Sequence, residues 1–142
     1  MIKIFVDTGA WYALNNKNDS HHTAALRYFQ AHQDKAMFVT SYYVIDEAIT
    51  LSRVRIGHHA ASQLAGELFS EQAAKIIYVA PDYIPRALEI FNQYSDQDFS
   101  FTDCTSFAIM ENLKIAEVLA FDSHFVFEKF GFVPGKSINP AR

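Results

Sequence analysis

One cysteine, five glycines and four prolines in 142 residues exclude several kinds of protein at once. A single thiol, Cys104, can build neither an internal disulfide framework nor a four-cysteine zinc site, and such a chain is expected in the cytoplasm. No glycine- or proline-rich linker, repeat or low-complexity tract divides the chain, so a single domain over residues 1–142 is expected. No apolar run reaches the roughly 18 residues of a membrane helix. The opening stretch, MIKIFVDTGAWYAL, is broken by Asp7 and is too short for the core of a signal peptide. Positive charge is also scarce. A net charge of −4 argues against holding nucleic acid by bulk electrostatics.

What is present is apolar: half the residues are hydrophobic and 15% are aromatic, which excludes a disordered chain and supplies a full core. Four short, continuous, β-branched or aromatic runs, at 2–6, 36–39, 75–79 and 117–121, read as strands covered on both faces. Between them, apolar residues recur at helical spacing over 22–31, 41–54, 58–69, 82–94 and 102–113. Pro85 falls in a first helical turn, where its missing N–H costs nothing. A last edge strand is expected within 132–138, broken by Pro134 and Gly135. Strands alternating with helices imply an α/β fold: three layers, with a central parallel sheet of four to five strands between helices. Ligands of such sheets bind at the carboxyl ends of the strands, so polar residues directly after a strand become candidates.

Asp7 directly follows the first strand and Asp122 the last of the four. Either alone is also an ordinary helix cap or turn former. Glu47 falls three residues after Val44 and four before Leu51, on an apolar stripe, where an ionised group is costly unless paired or metal-bound. An edge position reaching water is the other reading. Asp46 is turned about 100° away and reads as solvated or supporting. Asp103 stands three residues after Ser100, the spacing of a capping box, yet it shares a face with Phe107 and Met110. Converging on one sheet edge, these four acids would repel one another and raise at least one pKa, a conflict that a divalent cation removes. Oxygen-only ligands suit magnesium or manganese, which serve phosphoryl chemistry. The four acids account for the whole net charge, so a metal-loaded site would no longer repel phosphate.

The segments Asp7-Thr8-Gly9-Ala10-Trp11-Tyr12-Ala13-Leu14, Asp46-Glu47, Phe99-Ser100-Phe101-Thr102-Asp103-Cys104-Thr105-Ser106-Phe107-Ala108 and Phe121-Asp122-Ser123-His124-Phe125 resemble, in order and spacing, the four motifs of PIN domains. The third is the most specific, and the resemblance runs from Met1 to about Pro134. Among single-domain members the chain is most similar to the VapC toxins of toxin–antitoxin pairs. The resemblance implies magnesium- or manganese-dependent endonucleolytic cleavage of RNA, a homodimer, and inhibition by a cognate antitoxin at the acidic groove. By position, it implies that Asp7, Glu47, Asp103 and Asp122 hold the metal, with Asp122 acting directly or through water. It gives Thr8 the task of orienting Asp7 or a water on the metal.

Other side chains have plainer readings. The adjacent pairs His21-His22 and His58-His59 face apart and lack zinc-ligand spacing, so they read as solvated. His124 reads as surface, with substrate contact as the alternative. Arg53 and Arg55, with His58 and His59, meet either solvent or a phosphate backbone. Tyr42, Tyr43, Phe99 and Phe101 read as core, with base stacking as the alternative. Trp11 and Tyr12 read as packing or dimer contacts, and Cys104 as an inert buried thiol. An aspartyl phosphatase would need an acid where Gly9 stands. A DNA flap nuclease needs arches and clamps that 142 residues leave no room for. The remaining alternative is a catalytically silent PIN scaffold that docks a protein.

Overall fold

The computed structural model describes residues 1–78 and 81–121 and the backbone of 133–134. The strands are β1 (Ile2–Val6), β2 (Ala36–Ser41), β3 (Lys75–Ile77), β4 (Glu117–Leu119) and β5 (Val133–Pro134). They form one parallel sheet in the order β3-β2-β1-β4-β5. Ile4, Phe5 and Val6 of the central strand are fully buried, as a strand with helices over both faces requires. Pro134, which has no N–H to donate, lies in the edge strand β5.

The helices are α1 (Thr8–Asn15), α2 (His22–His32), α3 (Tyr42–Arg55), α4 (His58–Phe69), α5 (Tyr83–Gln93) and α6 (Phe101–Leu113). From β1 the chain winds outward through β2 to β3, then returns across the sheet to β4. Right-handed crossovers therefore lay α1–α4 on one face and α5–α6 on the other, giving the three layers. Packing agrees: α1 lies against α2 and α3, α3 against α4, and α5 against α6. Strand order reverses between β1 and β4, and their carboxyl ends define the crevice where such a sheet binds ligands.

Four of the expected strands and all five expected helices are present, with ends shifted by a residue or two, and the edge strand expected within 132–138 is seen at Val133–Pro134; Val79, Phe132 and residues 135–138 lie outside the described residues. Helix α1 was not expected. Eight residues are too few to show a helical period, and Gly9 is a poor helix former. Tertiary contacts hold it instead: Ala10, Trp11 and Ala13 are buried, and Asn15 Nδ2 donates to Ser52 Oγ of α3 and to the Ala60 carbonyl of α4. The turn from α3 into α4 passes through Gly57 at φ 145°, a conformation that side chains rarely allow. At the amino end of the sheet, Tyr28 donates a 2.6 Å hydrogen bond to Glu117 Oε1, and burial, then that carboxylate, pushes the phenol above its usual range. The largest fully buried side chains include Phe5, Ile4, Ile45, Phe107, Ile109 and Met110, so β1, α3 and α6 share one core.

Candidate active-site cleft

Asp7, Thr8, Gly9, Glu47, Asp98, Ser100 and Asp103 line one cleft of about 290 Å³ at the carboxyl edge of the sheet. Three elements bring them there. Asp7 directly follows β1 and occupies the N-cap position of α1, but its side chain makes no cap bond to that helix. Its N–H donates to the Leu119 carbonyl of β4 at 3.1 Å, and its carbonyl accepts from the N–H groups of Ala10 and Trp11. Asp7 as a residue is 5% exposed, so it stands at the sheet's edge as a buried acid with a backbone fixed on both sides.

Asp103 enters from α6 and realises both of its expected readings. Ser100 Oγ accepts from Asp103 N–H at 3.0 Å, and Asp103 Oδ2 accepts from Ser100 N–H at 3.0 Å, a complete capping box. The same residue lines the cleft and is 7% exposed. The cap therefore orients the acid rather than competing with it. Glu47 takes the second of its two readings, an edge position reaching water, rather than the buried stripe. Helix α3 buries Val44, Ile45, Ala48 and Ser52, and Glu47 is exposed beside that stripe, at the cleft rim. Its desolvation is therefore small, and its reach and rotamer freedom matter more.

Thr8 also lines the cleft, and its Oγ1 is buried with no hydrogen-bond partner among the described residues. A buried hydroxyl left unsatisfied costs free energy, which points to a partner taken from the cleft. Asp98 was missed by sequence reasoning. It stands two residues before the N-cap of α6, and no periodicity reaches that loop; only its place beside Ser100 could have flagged it. Asp122 lies outside the described residues, as do Ser123 and His124.

The donors offered are carboxylate and hydroxyl oxygens, which suit a hard divalent cation. The first turns of α1 and α6 both meet the cleft, and their positive ends ease the crowding of acids. Among the described residues, however, no three acidic, imidazole or thiol groups close into a ready-made metal cage. Carboxylates in one cleft repel one another, and an exposed Glu47 has a long side chain with which to stand apart. A larger hollow of about 380 Å³ at the other edge of the sheet, beside Met37 and Lys75, has a single acid, Glu71, in its lining.

Neighbouring groups settle several readings. Cys104 is buried and free, and its thiol is pushed up to about 11 by burial and then by the Asp103 charge, which keeps it un-ionised at neutral pH. Trp11 is core, and Tyr12 lies under the Arg55 guanidinium at 5.5 Å. Phe99 is buried, whereas Tyr42 and Tyr43 are exposed, against expectation: both begin α3, Tyr42 against Phe69 and Tyr78 and Tyr43 beside Phe101. His21 and His22 are half-buried rather than solvated, one stacked on Phe121 and the other at 2.7 Å from the Ala13 carbonyl. Arg53, Arg55, His58 and His59 are exposed, with Arg55 about 12 Å of helical rise from Glu47. Beside the cleft, Tyr43, Leu51, Val54 and Phe101 form an apolar shelf that shares Glu47 with it. No helix among the described residues is long and apolar enough to cross a membrane.

Residues 4–132 match the PIN domain family. The chain is 36% identical over 122 residues to the 23S rRNA-specific endonuclease VapC20 of Mycobacterium tuberculosis, covering 86% of this chain and 91% of that protein. The crystal structure of VapC20, a sarcin-ricin loop cleaving toxin, superposes with a TM-score of 0.82 at 35% identity, over 92% of this chain and 96% of that one. VapBC2 from Rickettsia felis, solved with a DNA fragment from its promoter, superposes with a TM-score of 0.70 over 95% of this chain and 98% of that one. At 12% identity, that likeness is one of fold.

Proposed function

This chain belongs to the PIN-domain family, and we propose that it is a metal-dependent endoribonuclease, the toxin of a toxin–antitoxin pair. The observation that carries the proposal is the gathering of Asp7, Glu47 and Asp103, far apart in the chain, around one cleft with a buried Thr8 hydroxyl. Asp7, Glu47 and Asp103 would hold Mg2+ or Mn2+, and the fourth-motif resemblance gives Asp122 the same task. Asp98 is a further acid at the same mouth.

When bound, the cation would supply positive charge against the scissile phosphate and would make the attacking water more acidic than bulk water. The protein's own part is positioning. Backbone bonds fix Asp7, and the Ser100 N–H holds one oxygen of Asp103, so two acids are pre-oriented. Glu47 closes from the rim, and Thr8 offers its hydroxyl to Asp7 or to the attacking water. The substrate is RNA. The likeness to VapC20 favours a structured ribosomal RNA loop, with the exposed Tyr42 and Tyr43 available to stack on unpaired bases. The apolar shelf beside the acids supports a protein partner, either the cognate antitoxin or a second copy in a homodimer. That shelf is also what favours the competing reading, a silent scaffold that only docks a protein.

Purified protein, freed of any bound inhibitor, is incubated with ribosomal RNA at low salt. It is expected to cut with Mg2+ or Mn2+ and not with a chelator, and Asp7→Asn is expected to cut nothing measurable. The wild type is also expected to melt higher when either metal is added, a gain that Asp7→Asn lacks. Intact RNA with both metals present would leave the docking scaffold as the answer.

A further inference from the structure

A buried relay runs from α1 through β2 to the residue before Asp7. Trp11 Nε1 lies 3.1 Å from Thr40 Oγ1, and Thr40 Oγ1 lies 2.9 Å from the Val6 carbonyl oxygen. An indole N–H can only donate and a carbonyl can only accept. The Thr40 hydroxyl must therefore accept from Trp11 and donate to Val6, and its single proton is committed. Trp11, Thr40 and Val6 are all within 3% of complete burial, so water does not compete.

The sheet pairing shows where this relay sits. Strands β1 and β2 pair from Ile2 with Ala36 up to Phe5 with Val39. One residue further, the Thr40 side chain reaches back to the Val6 carbonyl. On the other side, β1 stays with β4: Val6 pairs with Leu119, and Asp7 N–H donates to the Leu119 carbonyl. The peptide between Val6 and Asp7 is thus gripped at both edges, its N–H by β4 and its C=O by Thr40. The next peptide is gripped too, since the Asp7 carbonyl accepts from the backbone N–H of Trp11 at 3.2 Å. Trp11 therefore ties both peptide planes that flank the Asp7 Cα, one through its main chain and one through its indole. Fixing those two planes fixes φ and ψ, and with them the direction in which the Asp7 Cα–Cβ bond points toward the cleft.

We propose that Trp11 and Thr40 are positioning residues for Asp7, which set the metal affinity of the cleft without touching metal or substrate. The proposal rests on the metal-dependent reading above. Residues one step behind a ligand change metal affinity by about 10–100-fold when removed. Thr40→Val keeps the shape and removes the hydroxyl, while Thr40→Ser keeps the hydroxyl and removes a methyl.

The test is calorimetric titration of Mn2+ into the whole, partner-free protein, with the metal-free melting temperature measured alongside. Thr40→Val is expected to weaken Mn2+ binding about tenfold. Thr40→Ser is expected to bind like wild type even if it melts lower, which separates positioning from packing. If Thr40→Val does not fold, Trp11→Phe, which removes the indole donor alone from the relay, is expected to weaken binding in the same direction. Wild-type Mn2+ affinity in a folded Thr40→Val, or in Trp11→Phe where it stands in, would overturn the proposal while leaving the nuclease reading intact. No Mn2+ uptake by the wild type would instead overturn that reading, and the proposal with it.

Discussion

Asp103→Asn is expected to lower RNA cleavage by about three orders of magnitude, ~4 kcal/mol of barrier, with the metal-free melting temperature close to wild type. The separation arises because this side chain has two tasks. Its Oδ2 accepts from the Ser100 N–H and closes the capping box of α6, and its charge faces the cleft. An asparagine carbonyl still accepts that bond, so the cap survives while the charge goes. Removing one of several acids that share a cleft also relieves repulsion, which can raise metal-free stability slightly. Asp103→Ala loses both tasks and is expected to melt lower, by the ~1 kcal/mol that a capping interaction is worth. Single-turnover cleavage and thermal melts on the two variants check this. Cleavage at the wild-type rate by Asp103→Asn would remove Asp103 from the machinery.

Phe107→Ala is expected to cost about 3–5 kcal/mol, a large share of the ~5–15 kcal/mol that holds a domain folded. Phe107 is fully buried in α6 and meets Phe99 edge-on, with ring centroids 5.0 Å apart. Phe99 directly precedes Ser100, the N-cap that orients Asp103. Emptying the Phe107 site should therefore loosen the cap as well as the core, so metal affinity should fall along with stability. Denaturant unfolding with and without Mn2+ measures both. A loss below about 1 kcal/mol would mean that α6 repacks around the gap, contrary to the dense packing expected of such a core.

How much of this was legible in the sequence depends on the kind of signal each residue carries. The strands were readable because burial on both faces leaves unbroken apolar runs such as Ile4-Phe5-Val6. Asp7 was readable because it ends such a run. Asp103 was readable through its spacing from Ser100, although spacing alone did not say that cap and site would coincide. Glu47 was placed on the right helix with its surroundings left between two readings: the buried stripe runs through Val44, Ile45, Ala48 and Ser52, and a rotation of part of a turn separates burial from the rim. Helix α1 was invisible because it is short and held by Trp11 and Asn15 rather than by its own propensity. Asp98 was invisible because a loop residue has no period, and only the fold brings it to the cleft. The Trp11–Thr40–Val6 relay was equally hidden, since its partners are 29 and 34 residues apart.

The central claim concerns where a hard cation sits, and crystals of the protein grown with Mn2+ locate it by anomalous scattering. The expected result is a peak within about 2.1 Å of carboxylate oxygens from Asp7 and Asp103, with Glu47 reaching it directly or through water. A peak elsewhere on the molecule, with Asp7 and Asp103 both out of reach, would contradict the account.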